Sequence, residues 1–415
     1  MNRPTGAPVP AGPTAGGHRP SEHGNRTLVA ALAITQTIGY GTLYYAFAVF
    51  LVPIAADLHT STTAVTGAFT ASVLTSAVLA VPIGRRLDRH GGRALMAAGS
   101  LLGTVMLVAW SQAGQLWQLY AVQIGVGAAS AASLYEAAFA VIIAWHRPDS
   151  RSPALLALTV VAGFASTVFL PLTGWLTAQH GWRTALLILA GIHAVTAPLH
   201  AAVVRPPPAG GHATTRDRDT GMRAVRAALA DRGFWLLAAG FTAHTTATSA
   251  YTVLLIAALI GWGHPPAFAA TVAGLLGVLS VAGRLITTGL RRRCRTTTVT
   301  AGVFAVQAAA TLLLPAVGAG AGGAVLAVAG FGLGLGVATI AKPVILAERY
   351  DTRRYATLAG ILVAPMTLAK AGAPLAAAAL HTATHSYTPV LVAIAICCAA
   401  AATAIAACSR ASSRP

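Results

Sequence analysis

Four charged side chains interrupt long apolar stretches of this 415-residue sequence: Glu136, Arg284, Lys342 and Lys370. An arginine presents a planar fork of donors that grips a carboxylate at two points, and a lysine presents a compact positive charge. Brought together, the two would hold a small organic anion. Lys370 is one of only two lysines in the chain and sits in "PMTLAKAGAP" (365–374), with no acid within fifteen residues on either side. Glu136 and Lys342 offer a different chemistry, an opposite-charge pair that can form and break. Two further sets share the spacing of one helix face: Gln36, Tyr40 and Tyr44, and His244, Thr248 and Tyr251. Rings on such faces shape a pocket, and hydroxyls orient carboxylate oxygens. The alternative for both faces is interhelical packing with satisfied hydrogen bonds. His244 adds a group that titrates near neutral pH.

The elements that must carry these residues are bilayer-crossing helices. The chain is 56% hydrophobic and 9% charged, against about 25% charged in a soluble domain, and its mean hydropathy is +0.69. Twelve apolar spans are predicted near 27–52, 61–83, 94–112, 118–144, 153–178, 183–204, 233–260, 266–290, 297–316, 322–346, 355–381 and 387–407, most of them meeting the roughly 20 residues a crossing helix needs. Alternate loops hold nearly all the arginines: Arg85, Arg86, Arg89 and Arg93, then Arg147 and Arg151, then the run from Arg205 to Arg232, then Arg291 to Arg295, then Arg349 to Arg354. The opposite loops hold only Arg183. By the positive-inside rule the arginine-rich side is cytoplasmic and both termini lie inside. The net charge of +18 is therefore spread between spans rather than gathered on one nucleic-acid-binding surface. Residues 1–26, rich in Pro and Gly, read as a disordered tail rather than a signal peptide. Four cysteines show no metal or disulfide spacing, and no cofactor is expected.

The domain reading follows. A six-helix bundle (27–204) is joined by a polar cytoplasmic linker (205–232) to a second six-helix bundle (233–407), with a short tail (408–415). The halves echo each other. "GRRLDR" at Gly84 and "GLRRRC" at Gly289 are 205 residues apart, as are "HGWRTALLI" at His180 and "HSYTPVLVA" at His385. A single offset points to parallel repeats related by an axis along the membrane normal.

Depth then groups the charges. Arg284, on the inward-running eighth span, lies about 10 Å from the cytoplasmic edge, and Lys370, on the outward-running eleventh, roughly 22 Å. Side chains lean toward their helix N-terminus, so the two lean toward each other across about 12 Å. A charge at the bilayer centre costs about 2.5–3.5 kcal/mol on insertion scales, and no acid at comparable depth in the second half neutralises this pair. The missing negative charge would be the cargo. The alternative is that Lys370 snorkels or sits in hydrated space while Arg284 braces a helix pair. Adding the repeat offset to 136 gives 341, which puts Glu136 and Lys342 at one level as a candidate gate or proton-sensitive switch. Its alternative is that Lys342 reaches the interface and Glu136 bonds locally.

The loop "GRRLDRHGGRAL" (84–95) resembles the signature G-x-x-x-D-R-x-G-x-R of the major facilitator superfamily, with Gly84, Asp88, Arg89, Gly91 and Arg93 on the motif positions. The resemblance implies that Asp88 pairs across the interface between halves and latches the outward-facing state. Gly84 would permit close helix contact. The equivalent position in the second half, Arg293, has no acid. "GYGTLYYAFAVFLVPIAADL", "YEAAFAVIIAW", "LPLTGWL…HGWR" and "AGRL" are similar to the monocarboxylate porter and oxalate/formate antiporter group. In that group an arginine of helix 8 and a lysine of helix 11 bind the anion, which implies that role for Arg284 and Lys370. Monocarboxylate porters of animals also carry an aspartate four residues before the arginine; this chain has Ser280.

Together these readings predict an all-α membrane protein of twelve transmembrane helices in two pseudo-symmetric six-helix bundles. It would be a monomer in a bacterial-type cytoplasmic membrane, moving a small organic anion, a mono- or dicarboxylate, by alternating access. A proton or a counter-anion would be the coupling partner. The rival reading is efflux of a drug or secondary metabolite. An enzyme is not expected, because the intramembrane residues contain a single acid.

Overall fold

The computed structural model describes residues 22–204, 215–291, 293–350 and 352–411. Among the described residues all regular structure is helical and no strand occurs. In chain order the helices are α1 (Glu22–Tyr40), which passes through a π-turn (Gly41–Tyr45) into α2 (Ala46–Asp57); α3 (Thr62–His90); α4 (Arg93–Ser111); α5 (Leu116–Ser133); α6 (Tyr135–Trp145); α7 (Pro148–Ala162); α8 (Ala165–Ala194); and α9 (Thr196–Val203). There follow α10 (Thr215–Ala230), α11 (Arg232–Gly261), α12 (Pro266–Leu290), α13 (Thr296–Val317), α14 (Ala321–Arg349), a 3-10 turn (Thr352–Arg354), α15 (Tyr355–Thr384) and α16 (Tyr387–Ala411).

Among the described residues, eleven stretches are long and apolar enough to cross a bilayer. Helices suit that medium because every backbone donor finds its acceptor within the segment. The longest stretch, 56 residues from Pro148 to Val203, leaves the helical conformation at Gly181, where φ is 75° and ψ is 162°. Helix ends are built from local chemistry: the Ser61 hydroxyl accepts from the Ala64 amide, Gln115 and Gln118 form a reciprocal cap on α5, and Pro148 and Pro266 open α7 and α12, where a missing N–H costs nothing. Large apolar side chains point outward, with Val78, Leu326 and Leu375 more than 70% exposed, as expected of surfaces that face lipid rather than water.

Three apolar clusters hold the chain together. One lies among α1 to α8, around Phe50, Trp110 and Leu186. Another lies among α11 to α16, around Tyr251, Phe331 and Ile394. The third unites both groups at the arginine-rich end, where Leu32, Phe139 and Leu155 pack in one cluster with Phe234, Ile340 and Leu358. The two groups of helices are thus fused at the arginine-rich end and have separate cores at the other.

Several expectations are corrected. The first helix begins at Glu22, so residues 22–26 of the expected disordered tail are helical; residues 1–21 lie outside the described residues. The linker 205–232 contains α10, whose Val225 and Ala228 are buried while Arg223 and Arg226 face out. Residues 205–214 lie outside the described residues. The last helix continues to Ala411, past the expected boundary at 407. Two spans are also discontinuous: the first relaxes through the π-turn at Gly41–Tyr45, and the fourth breaks at Leu134 (φ −86°, ψ −159°).

Candidate functional site

The two interruptions flank one cavity. It has a volume of about 280 Å3, lies between the two groups of helices and is lined in part by Tyr40, Tyr44, Tyr135, Glu136, Lys342 and Lys370. Interrupted helices at such a place free backbone groups that something must satisfy. At the Leu134 break the Ala137 amide turns to Leu134 O instead of Ser133 O. The released Ser133 carbonyl takes a hydrogen bond from Gln36 Nε2 at 2.8 Å. Gln36 is fully buried and does not line the cavity, which corrects its expected place beside Tyr40 and Tyr44.

Lys370 lines the cavity from α15, with Nζ 4.5 Å from the centroid of the Tyr44 ring on α1's π-turn. The ring face attracts the ammonium. No carboxylate lies within salt-bridge distance of it among the described residues. Its backbone is fixed by a substitution of donors. Pro374, four residues on, has no N–H to offer the Lys370 carbonyl. That carbonyl instead accepts from the Ser249 hydroxyl of α11 at 2.8 Å. Ser249 thereby ties α15 to α11 at the level of the cation.

Arg284 does not join Lys370 in the cavity. It is buried and donates from Nη1 to the Thr159 carbonyl of α7 at 2.7 Å. The cause is the packing of α12 on α14. A Cβ on Gly283 would strike the Leu333 backbone, and one on Gly336 would strike the Ser280 backbone, so that face of α12 is pressed into α14. The next residue round, about 100° on, is turned toward α7. The expected meeting of Arg284 and Lys370 on one void is therefore corrected: Lys370 lines the void and Arg284 braces helices. Tyr45 lies within electrostatic reach of both.

Glu136 and Lys342 do meet, as the repeat offset predicts: Lys342 Nζ is 2.5 Å from Glu136 Oε1. Glu136 occupies the first turn of α6, immediately after the break. Its other oxygen, Oε2, is buried without a hydrogen-bond partner among the described residues. The contact joins the two groups of helices beside the cavity.

The expected face of α11 packs elsewhere. His244 Nε2 meets Gln307 Oε1 at 3.0 Å and the ring stacks on Phe304 at 4.0 Å between centroids. Tyr251 stacks on Phe331 at 3.7 Å and is buried. Both are buried among helices of the C-terminal group. The residue of α11 that lines the cavity is Thr245, one position further round, and Thr248 is tied to its carbonyl. Sequence reasoning also missed Tyr135, whose ring lies 4.5 Å from that of Tyr40; its place directly before Glu136 was the available signal.

The signature loop does its work at the arginine-rich end. Asp88 accepts from the Ala356 amide at 3.0 Å with Oδ1, and from the Thr357 amide at 2.8 Å and hydroxyl at 2.5 Å with Oδ2. These are first-turn donors of α15, which have no partner inside their own helix. Asp88 thus caps a helix of the other group. A Cβ on Gly84 would strike the Ala356 backbone, and one on Gly360 would strike that of Ala80 and Val81, so α3 and α15 touch backbone to backbone. Gly91 closes α3 with φ 73°, a conformation L side chains disfavour. Arg93 Nε donates to Ala201 O in the last turn of α9 at 2.6 Å, and Arg89 is exposed. Two residues before Arg293, the repeat equivalent of Asp88, Arg291 bonds Ser152 across the groups and Glu348 Oε1 at 2.8 Å.

Just before α11, Asp231 accepts from the Tyr350 hydroxyl, the Gly233 amide and Arg349. Partial burial pulls its pKa upward, but these three donors outweigh it and hold the carboxyl below its usual value.

Comparison with known proteins adds three observations. The model of the Major Facilitator Superfamily matches residues 32–374. A protein of Mycolicibacterium smegmatis described as an MFS-type efflux pump is 31% identical over 188 residues, 44% of this chain and 43% of that protein. The match thus spans under half of that relative's length. Among solved structures, the E. coli fucose:proton symporter FucP superposes with a TM-score of 0.72 at 13% identity, over 92% of this chain and 97% of that one. A structure of FucP in the outward conformation gives 0.71 at 15% identity, over 91% and 98%. At such identity the likeness is one of fold.

Proposed function

Because the chain belongs to the major facilitator superfamily, we propose that it is a secondary carrier of a small organic anion, working by alternating access. The observation that carries this reading is Lys370, a cation lining the cavity with a tyrosine ring beneath it and, among the described residues, no carboxylate within salt-bridge distance. A lone charge at that depth is costly, and an anion that arrives from solution removes the cost for as long as it stays. The site is now one cation rather than two, with Arg284 positioning α12 against α7 instead of touching cargo.

In this reading the chain crosses the cytoplasmic membrane twelve times, the stretch Pro148–Val203 counting as two passes divided at Gly181, with the arginine-rich end and both termini inside. The fused apolar cluster and the Asp88 cap close that end, so the cavity communicates with the other side. Glu136 and Lys342 form a second closure between the groups. Neutralising or separating that pair releases it, which makes a proton or a counter-anion the coupling partner. The signature residues Gly84, Asp88, Arg89, Gly91 and Arg93 serve the conformational change, not the cargo.

A second reading, efflux of a drug or metabolite, is favoured by the M. smegmatis relative and by the aromatic lining. The cavity's 280 Å3 sits at the lower edge of the roughly 300–1,000 Å3 typical of ligand pockets, which supports a small cargo over a bulky one. Counterflow uptake of radiolabelled carboxylates into proteoliposomes tests the choice. Wild type should accumulate an anion that Lys370→Gln does not. Equal uptake by both would remove the anion reading.

A further inference from the structure

The formal charges of the residues that line the cavity sum to one. Lys370 contributes a positive charge, and Lys342 and Glu136 cancel at 2.5 Å. Glu136 turns its unpaired Oε2 into buried space rather than into the void. Arg284 bonds the neutral Thr159 carbonyl, keeps its charge and lies outside the lining, so it offers a ligand in the cavity no direct ion pair. A monoanion therefore leaves the occupied cavity neutral. A dianion leaves one negative charge with no ion-pair partner in the lining, or must pull Lys342 from Glu136 and strand that carboxylate.

The walls are also unequal. One wall is aromatic: the Tyr44 ring lies 5.3 Å from Phe69 and 6.2 Å from Tyr40, and Tyr40 lies 4.5 Å from Tyr135. The facing wall, from α15 and α11, carries Val363, Met366, Thr367, Lys370 and Thr245. The contact between Lys370 Nζ and the Tyr44 ring fixes the ammonium where the two walls meet. An anionic head held there leaves the rest of the ligand against rings, which favour flat apolar bodies in offset or edge-on contact.

The geometry points to an apolar-bodied monocarboxylate, of the arylacetate type, as the cargo class, rather than a dicarboxylate or a one- or two-carbon acid. This rests on the anion-carrier reading of the same cavity and narrows it. Head and body make separate demands. The carboxylate is read by charge at Lys370, and the ring is read by stacking among Tyr40, Tyr44 and Tyr135.

Four probes that differ by one feature each separate these demands: phenylacetate, acetate (no ring), phenylmalonate (a second charge) and 2-phenylethanol (no charge). Titration of the full-length protein in detergent, followed by calorimetry, should show phenylacetate binding at least about tenfold more tightly than each of the others, a difference of about 1.4 kcal/mol. Acetate or phenylmalonate binding as tightly as phenylacetate, with 2-phenylethanol weak, overturns the narrowed class and leaves the anion reading standing. Equal binding of 2-phenylethanol overturns both, and so does binding by none of the four. Affinity ratios measured on one variant cancel losses of folded protein. Glu136→Gln frees Lys342 and adds a positive charge, so the phenylmalonate-to-phenylacetate affinity ratio should rise about tenfold; an unchanged ratio refutes the charge count. Tyr44→Leu should lower the phenylacetate-to-acetate ratio, and no change there refutes the stacking wall.

Discussion

Replacing Asp88 by asparagine should open the arginine-rich end. The carboxylate accepts three hydrogen bonds from the first turn of α15: the Ala356 amide, the Thr357 amide and the Thr357 hydroxyl. Asparagine retains one oxygen, which can serve one amide. Its NH2 group then faces the remaining Thr357 amide donor to donor, while the hydroxyl can turn and accept. Hydrogen bonds to charged groups contribute about 1.5–3 kcal/mol each, so the loss amounts to roughly 2–4 kcal/mol against the closed arrangement. At 1.4 kcal/mol per tenfold, the open-to-closed ratio rises by roughly 30- to 700-fold. Ala359 reports on this, since it is buried in the cluster that closes the end. In protein whose four native cysteines are replaced by serine, Ala359→Cys should react slowly with a maleimide and much faster once Asp88→Asn is added. The binding-site Tyr44→Leu change should leave that rate as it was. An unaltered rate in the Asp88→Asn protein would refute the view that the cap on α15 holds the end shut.

Gln36→Leu removes the donor that satisfies the Ser133 carbonyl at the helix break, stranding a buried acceptor at a cost of about 1–3 kcal/mol. Thermal unfolding in detergent should shift downward while Lys370-dependent anion binding persists in the folded fraction. Asp231 carries the clearest pH signature outside the membrane spans. Its carboxyl is held below its usual pKa in the fold, so the stability it contributes is fully present above the unfolded-state pKa of about 3.9 and is lost as pH falls through the lower, folded-state value. Asp231→Asn should therefore melt earlier than wild type at neutral pH, and the difference should shrink on acidification below about pH 4. A constant difference across that range would contradict the assignment.

How far the sequence reaches depends on what kind of information a helix carries. Spans and their order are legible because a bilayer imposes length and apolarity, and the Asp88 contact is legible because its loop carries a signature. The Glu136–Lys342 contact is legible because depth along an axis follows from residue count and the repeat offset. Rotation about that axis is not legible. Between Thr242 and Thr252, α11 carries hydroxyls and a histidine on all sides, so its sequence does not say which stripe meets the cavity, and Thr245 rather than His244 or Tyr251 holds that place. The direction of Arg284 is hidden for the same reason: it is set by Gly283 and Gly336 pressing α12 into α14, a contact between segments some fifty residues apart. Gln36 was assigned to the cavity because nothing in "YGTLYYAF" or "AASLYEAA" marks the break at Leu134, and without the break the Ser133 carbonyl needs no external donor.

The single apolar cluster that welds both groups of helices at the arginine-rich end gives the transport cycle a thermal character. Opening that end wets buried leucine, isoleucine and phenylalanine side chains. Hydrating such surface raises heat capacity by about 0.45 cal/mol/K for each Å2 of apolar area exposed. The balance between the two facing states is therefore a curved function of temperature, with a calorimetric signature that chemistry at Lys370 alone would not produce. Warming and cooling across a wide range should bend the van't Hoff plot of that equilibrium, and the bend measures how much of the weld comes apart in each turnover.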